Sequence, residues 1–320
     1  MSFRRLPAAG LVAGLLGCPT AARRATILYT NVVAAMSPKD AIIDIKRSFL
    51  ERHKDRITID AHFTVDNAME SPNANLLDGD LHIGGRAPEI GLRLVAEIKN
   101  ADSAARAREV VQRAESTHVA LALTGVWRLW PEHALLPESQ GQNVQPLATP
   151  NPDHLFELHP VIRVGGIDLL HTFHPVPGYR PGNAERTFGI YQKADCKMEL
   201  YDSTVRLTIS NWLYNDVHFV MELSGDPQVV VEDGRFVTAA ALALDGTRLV
   251  EGLRMALVKN SGPEQAVRRL RRGGRLHVWG LPRVSFAELS RRMAGASRGA
   301  VLEGSLPYEI IVLGVYADSL

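Results

Sequence analysis

The chain has 320 residues, 46% of them hydrophobic, and carries 36 Lys and Arg against 35 Asp and Glu for a net charge of +1. Such a chain can bury a substantial core and its length favours two domains, which excludes a mainly disordered protein. The near-zero net charge excludes a global field that would recruit nucleic acid or an anionic membrane, so such a partner would need a local patch.

The start, MSFRRLPAAGLVAGLLGCPT, places Arg4 and Arg5 before an apolar run from Leu6 to Gly17 and then small residues. This is the layout of a bacterial secretory signal, and the run is too short to span a bilayer comfortably. Residues 1–36 are therefore expected to be a signal and N-terminal segment of an exported protein, in the periplasm, in the cell envelope or secreted. Leu15-Leu16-Gly17-Cys18 also resembles a lipobox, in which Cys18 would carry a lipid anchor. The other cysteine is Cys196, so neither a disulfide framework nor a zinc-thiolate site is expected.

From residue 37 the pattern repeats. Ser37-Pro38 predicts a capped helix to about His53, followed by the strand RITIDAHFTV. Ala96-Glu97-Ile98-Lys99-Asn100 then recurs as Ala256-Leu257-Val258-Lys259-Asn260, and each copy precedes a helical pattern, Ala104 to Ala114 and Glu264 to Arg272. After each helix comes a strand containing a glycine, Gly125 or Gly280, and then a last strand, LFELHPVIRV or PYEIIVLGVY. Upstream, Asp80-Leu81-His82 pairs with Asp216-Val217-His218, and KMELYDSTVRLTIS stands where the first half has RITIDAHFTV. Residues 225–252, with turn signals at Gly234 and Asp245-Gly246, read as an inserted hairpin of the second half.

Five short strands with a helix between the third and fourth is the connectivity of an OB-type barrel. The predicted fold is β-rich α+β: two tandem OB-like barrels from an internal duplication, each preceded by a helix. The first spans 37–168, a Pro/Gly-rich linker 169–182, and the second 183–320.

Polar residues fall in phase on three strands of the first half. In LDGDLH, Asp78, Asp80 and His82 share one side of an extended chain; in LVAEIKN, Glu97 opposes Ala96 and Ile98; in LFELHPV, Glu157 and His159 alternate with Phe156 and Leu158. His133 follows in WPEH. Oxygen and imidazole donors together suit a divalent metal ion, which makes Asp80, His82, Glu97, Glu157 and His159 candidate ligands. Asp78, Arg86 and His133 are candidate ligand-binding residues beside them. The competing reading is a solvated sheet face, which also collects Asp, Glu and His. The second half keeps Asp216, His218 and Glu309 but has Leu257 for Glu97 and Ile311 for His159, the pattern of a site kept in one copy only.

The combination DGDLH, VAEI, TGVW and FELHPV, over residues 76–164, resembles a group of exported or hypothetical bacterial proteins without an established activity. Asp78-Gly79-Asp80 with Arg86 and Pro88-Glu89 also resembles the thermonuclease-like OB barrels, which implies calcium-dependent phosphodiester cleavage; this chain has Leu81 where those enzymes carry threonine. Elsewhere, Arg268 to Arg272 reads as a solvated helix face, and His171 and His174 as surface residues. Two functions follow as expectations: an exported tandem-barrel binding protein for a small-molecule or polymeric ligand with a divalent ion on the first barrel, or a metal-dependent hydrolase of phosphodiesterase type.

Overall fold

The structure, a computed structural model, describes residues 25–28, 31–37, 39–133, 146–210, 213–225 and 228–317; the expected secretory signal, Cys18 and Pro38 lie outside them. Strands β1 (Ala25–Leu28), β2 (Val32–Met36) and β3 (Asp40–Lys46) form an antiparallel meander. The helix expected from Ser37 is mostly strand. Ala41, Ile43 and Ile45 are buried while Asp40, Ile42 and Asp44 are half-buried, a period of two that the β-branched isoleucines favour. Only α1 (Arg47–His53) is helical.

The first barrel comprises β4 (Thr58–Ala68), β5 (Leu81–Ala87), β6 (Gly91–Ile98), α2 (Ala105–Thr117), β7 (Leu121–Leu129) and β8 (Phe156–Val164), with the short β9 (Ile167–Asp168) at its edge. Around the barrel the order is β4-β5-β6-β8-β7 and back to β4, antiparallel except for the β6–β8 pair. Leu81, Ile83, Leu94, Ala96, Ile98, Phe156 and Leu158 fill its core. A Cβ on Gly125 would stand 2.7 Å from Leu158 Cβ, so β7 passes β8 this closely only because that residue is glycine.

The second half begins with α3 (Ala184–Lys193), capped by Asn183, and the hairpin β10 (Asp195–Leu200) and β11 (Thr204–Ser210). Then come β12 (Val217–Leu223), β13 (Val229–Val231), β14 (Gly234–Leu242), β15 (Arg248–Val258), α4 (Gly262–Arg268), β16 (Arg275–Val284), α5 (Phe286–Met293), β17 (Val301–Ser305) and β18 (Tyr308–Val315). Its barrel closes as β12-β14-β15-β18-β16, with β15–β18 the parallel pair. Both halves thus share the OB order of strands. Asn100 and Asn260 occupy the same place in each, in left-handed conformation (φ 47° and 63°) after the third strand, a turn that asparagine accepts at low cost.

Three expectations are corrected here. KMELYDSTVRLTIS is not a barrel strand: β10 and β11 each bury one face (Cys196, Met198, Leu200; Val205, Leu207, Ile209), and β11 pairs with β3 and β10 with β17 in a third sheet that crosses the expected domain boundary. Residues 225–252 are no appendage either, because they hold β14, the second barrel strand, and the start of the third. Consequently Asp80-Leu81-His82 and Asp216-Val217-His218 are not equivalent; the former enters a second strand and the latter a first.

A second apolar cluster joins the barrels. Ile57 and Val126 of the first pack with Trp279, Leu281 and Ile311 of the second, together with Phe173 and Val176 from the expected linker. The buried Ile311 explains why the second barrel is apolar where the first carries His159.

Candidate metal centre

Because core residues alternate with outward ones, β5, β6 and β8 turn Asp80, His82, Glu97, Glu157 and His159 to the outer face of the first barrel. This face is covered, not solvated: Asp80 is 1% exposed, His82 8%, Glu97 2%, Glu157 0% and His159 1%. The described ends of the connection between β7 and β8 supply part of the cover, Glu132 and His133 at one end and Asp153-His154 at the other. Arg93 of β6 anchors the latter end by donating to the Asp153 carbonyl at 3.2 Å. In OB barrels this connection and the face of the second and third strands commonly form the ligand site.

His159 sits among three carboxylates. Its Nδ1 lies 3.2 Å from Glu97 Oε2 and 3.1 Å from Glu157 Oε2, and its Nε2 lies 3.3 Å from Asp80 Oδ2. His82 is opposite Glu97 in the ladder, with Nε2 at 3.5 Å from Glu97 Oε1. Two fixed cations reach in. Lys99 Nζ bonds Asp80 Oδ2 at 2.8 Å and lies 4.2 Å from the centre of the Trp279 ring, while Arg128 Nη1 donates to both oxygens of Glu157 at 2.9 and 2.8 Å and to Glu132 Oε1 at 3.0 Å.

His154 is oriented from outside the group. Its Nδ1 is 2.7 Å from the Pro152 carbonyl, which can only accept, so Nδ1 carries a proton and donates. In the neutral ring Nε2 then has a lone pair, aimed at Glu157 Oε1 3.1 Å away. Lone pair against carboxylate is repulsive unless a proton or a cation lies between, and a backbone carbonyl on the far ring nitrogen is the support that metal-bound histidines receive. His133 stacks on His154 at 4.4 Å between centroids, with Nε2 2.8 Å from Glu132 Oε1 and 4.0 Å from Glu157 Oε1.

The electrostatics show a group of acids that draws positive charge to itself. Burial by itself would lower both imidazoles, yet the carboxylates outweigh it: Glu97, Asp80 and Glu157 push His159 up to about 10, and Glu132 with Glu157 and Glu97 pushes His133 up to about 9. Burial would raise the acids, but Arg128, His154 and His159 hold Glu157 well below the usual carboxylate range, Arg128 and His133 lower Glu132, and Lys99 and His159 lower Asp80. Asp80, Glu97, Glu132 and Glu157 outnumber Lys99 and Arg128 by two charges. Two imidazolium protons meet that deficit, and so would one divalent ion with neutral imidazoles.

Two sets of donor atoms lie within 4.8 Å of one another: Glu97, His133, His154 and Glu157, and Asp80, Glu97 and His159. Among the described residues, Asp80 Oδ1 and Glu97 Oε1, both buried, have no hydrogen-bond partner, and His159 Nε2, 3.3 Å from Asp80 Oδ2, makes no well-aligned bond.

Of the residues singled out by sequence, Asp80, Glu97, Glu157 and His159 meet, His133 joins them, and His82 stands at the edge with Nδ1 3.2 Å from Met69 Sδ. Asp78 borders the group through the Asp80 amide. At a φ of 126° it accepts from Asn73 and from the Asp80 amide, and burial followed by the Asp80 charge raises its pKa. Arg86 is not part of the group; it pairs with Asp66 at 2.8 Å, and Glu89 with His62 at 2.6 Å. His154, Glu132, Arg128 and Lys99 were missed. His154-x-x-Glu157 was the available signal, an imidazole and an acid spaced by three at a strand entrance.

In the second barrel Glu309 is fully engaged. Arg283 Nε bonds it at 2.7 Å, Arg254 at 2.8 Å and Ser285 at 3.1 Å. Fold and site together define a protein of two OB-type barrels, the first bearing a buried carboxylate–imidazole group and the second a closed arginine–glutamate network. No protein-family model matches the chain, and no curated protein matches it.

Proposed function

We propose that the protein is an exported tandem-barrel protein that binds a divalent transition-metal ion on the first barrel, through Glu97, His133, His154 and Glu157. The carrying observation is His154, whose Nδ1–H is held by Pro152 and whose Nε2 faces Glu157. Imidazole and carboxylate donors without thiolate favour zinc or manganese over the all-oxygen sites of calcium and magnesium. Binding is favoured over hydrolysis, because a catalytic ion needs a position open to substrate and Glu97, His154 and Glu157 are at most 2% exposed. Export rests on Arg4-Arg5 and the apolar run to Gly17, and an N-terminus at Met1 on the mature protein, read by mass spectrometry, would refute it.

The test is calorimetric titration of chelator-treated protein with Zn²⁺ and Mn²⁺. His154→Ala should weaken binding by about 100-fold or more, beyond the roughly 10–100-fold typical of losing an outer partner. Glu251→Ala, at an exposed position of β15 in the second barrel, should leave affinity unchanged. Equal affinities in wild type and His154→Ala would sink the reading.

A further inference from the structure

The two donor sets share one residue. Glu97 belongs both to the group with His133, His154 and Glu157 and to the group with Asp80 and His159. We propose that the first barrel holds two divalent ions, with the Glu97 carboxylate as the bridge between them; this rests on the metal-binding function proposed above.

The second position has its own evidence, independent of His154. Within the Asp80–Glu97–His159 set, Asp80 Oδ1 and Glu97 Oε1 make no hydrogen bond to a described residue, and His159 Nε2, 3.3 Å from Asp80 Oδ2, makes none of good geometry. All three residues are at most 2% exposed, and a buried oxygen or nitrogen left unsatisfied costs about 1–3 kcal/mol, more for a charged group. Two orphaned carboxylate oxygens and a poorly engaged imidazole nitrogen, from three different strands or strand entrances, are the ordinary state of a ligand set before its ion. Lys99 occupies only Asp80 Oδ2 and leaves Oδ1 to the ion.

The wider charge count supports two ions as well. Beyond the four acids of the cluster, Asp78 adjoins Asp80, and Asp216 lies behind Lys99, accepting from Trp279 Nε1 at 2.9 Å. With all six ionised, the carboxylates exceed Lys99 and Arg128 by four charges, the charge of two divalent ions beside neutral histidines. Ions sharing a carboxylate in this way sit roughly 3.5–4 Å apart in known two-metal sites.

The experiment uses the full chain, stripped by chelator and titrated with Mn²⁺, with the bound equivalents counted and the sample read by electron paramagnetic resonance. Two equivalents per chain, with the spectrum of an exchange-coupled pair, are expected. Asp80→Asn should retain one uncoupled equivalent held by the His154 set, and His154→Ala one uncoupled equivalent held by the Asp80 set. One equivalent in the wild type overturns the pair while leaving the single-ion function standing. Two uncoupled equivalents overturn the Glu97 bridge, and no binding at micromolar metal, repeated with Zn²⁺, overturns both proposals. The wild-type count and spectrum decide without any variant having to fold.

Discussion

Arg128 and Arg283 reach across the boundary between the barrels, and each donates to the carbonyl preceding the other. Arg128 Nε bonds Pro282 O at 2.9 Å, and Arg283 Nη1 bonds Trp127 O at 3.0 Å. Each is fully buried and held by the glutamate opposite it in its own barrel, Glu157 or Glu309. The exchange fixes how the barrels sit and, through Arg128, fixes Glu157 within the carboxylate–imidazole group.

Removing one partner of a buried ion pair strands the other. Arg283→Met should therefore lower unfolding stability by about 3–5 kcal/mol in urea, and the double variant Arg283→Met/Glu309→Leu should lose less than the sum of the two single variants. Additive losses would show that Arg283 acts through its carbonyl bonds and the Trp127 ring, which lies 3.7 Å from its guanidinium, and not through Glu309.

Lys99 is a fixed cation on an acid that also belongs to a donor set. In chelator, Lys99→Met leaves Asp80 buried without its partner and should destabilise the chain by roughly the same 3–5 kcal/mol. Saturating Zn²⁺ should restore much of that loss, so the rise in Tm on adding metal should be larger in Lys99→Met than in wild type. Thermal melts with and without metal measure it; an equal rise would place Asp80 outside the ion's reach.

The metal-free protein should lose stability in alkali. His159 and His133 are raised from 6.5 in the unfolded chain to about 10 and about 9 in the fold, so the folded state binds more protons and their contribution is complete below about pH 6.5. It falls as pH rises from there through 9 and 10. Metal displaces those protons, so Zn²⁺ affinity should climb over the same interval and the alkaline loss should shrink in the loaded protein. Melting curves in chelator between pH 6 and 10 check the first part; a flat profile would remove the imidazolium protons from the account.

Gly125→Ala should be destabilising by about 1–3 kcal/mol, because its Cβ would meet Leu158 Cβ at 2.7 Å with no flexible atom to give way. Leu158 lies between Glu157 and His159, so pushing it outward should also weaken metal binding, whereas Gly246→Ala, in an open turn with φ 90°, should cost stability alone. Calorimetric affinities of the two variants separate the effects.

The sequence carried the barrels clearly where local chemistry repeats. Lys-Asn at a left-handed turn and a glycine at the strand crossing are short-range signals, and both barrels carry each of them. Asp80, Glu97, Glu157 and His159 were legible for a similar reason, since period-two phase puts them on one face. The third sheet was not legible, because β3 and β11 pair over a long separation that no local pattern records. His154 escaped because its role depends on a carbonyl two residues back and on an acid at the start of the next strand. The arginine exchange escaped because each guanidinium finds its acceptor in the other half of the chain.

The third sheet also sets an order of events in time. Asp44 of β3 pairs with Arg206 of β11, 162 residues downstream, so one edge of β3 has no partner until the second half emerges. At roughly 5–20 residues per second the wait is on the order of 10–30 s, during which Ala41, Ile43 and Ile45 lie along an unpaired edge able to accept any strand offered. A chain cut within 169–182 would separate β3 from β11 in sequence but not in the sheet, so the two fragments should stay associated, and each expressed alone should self-associate through the half-sheet it is left with.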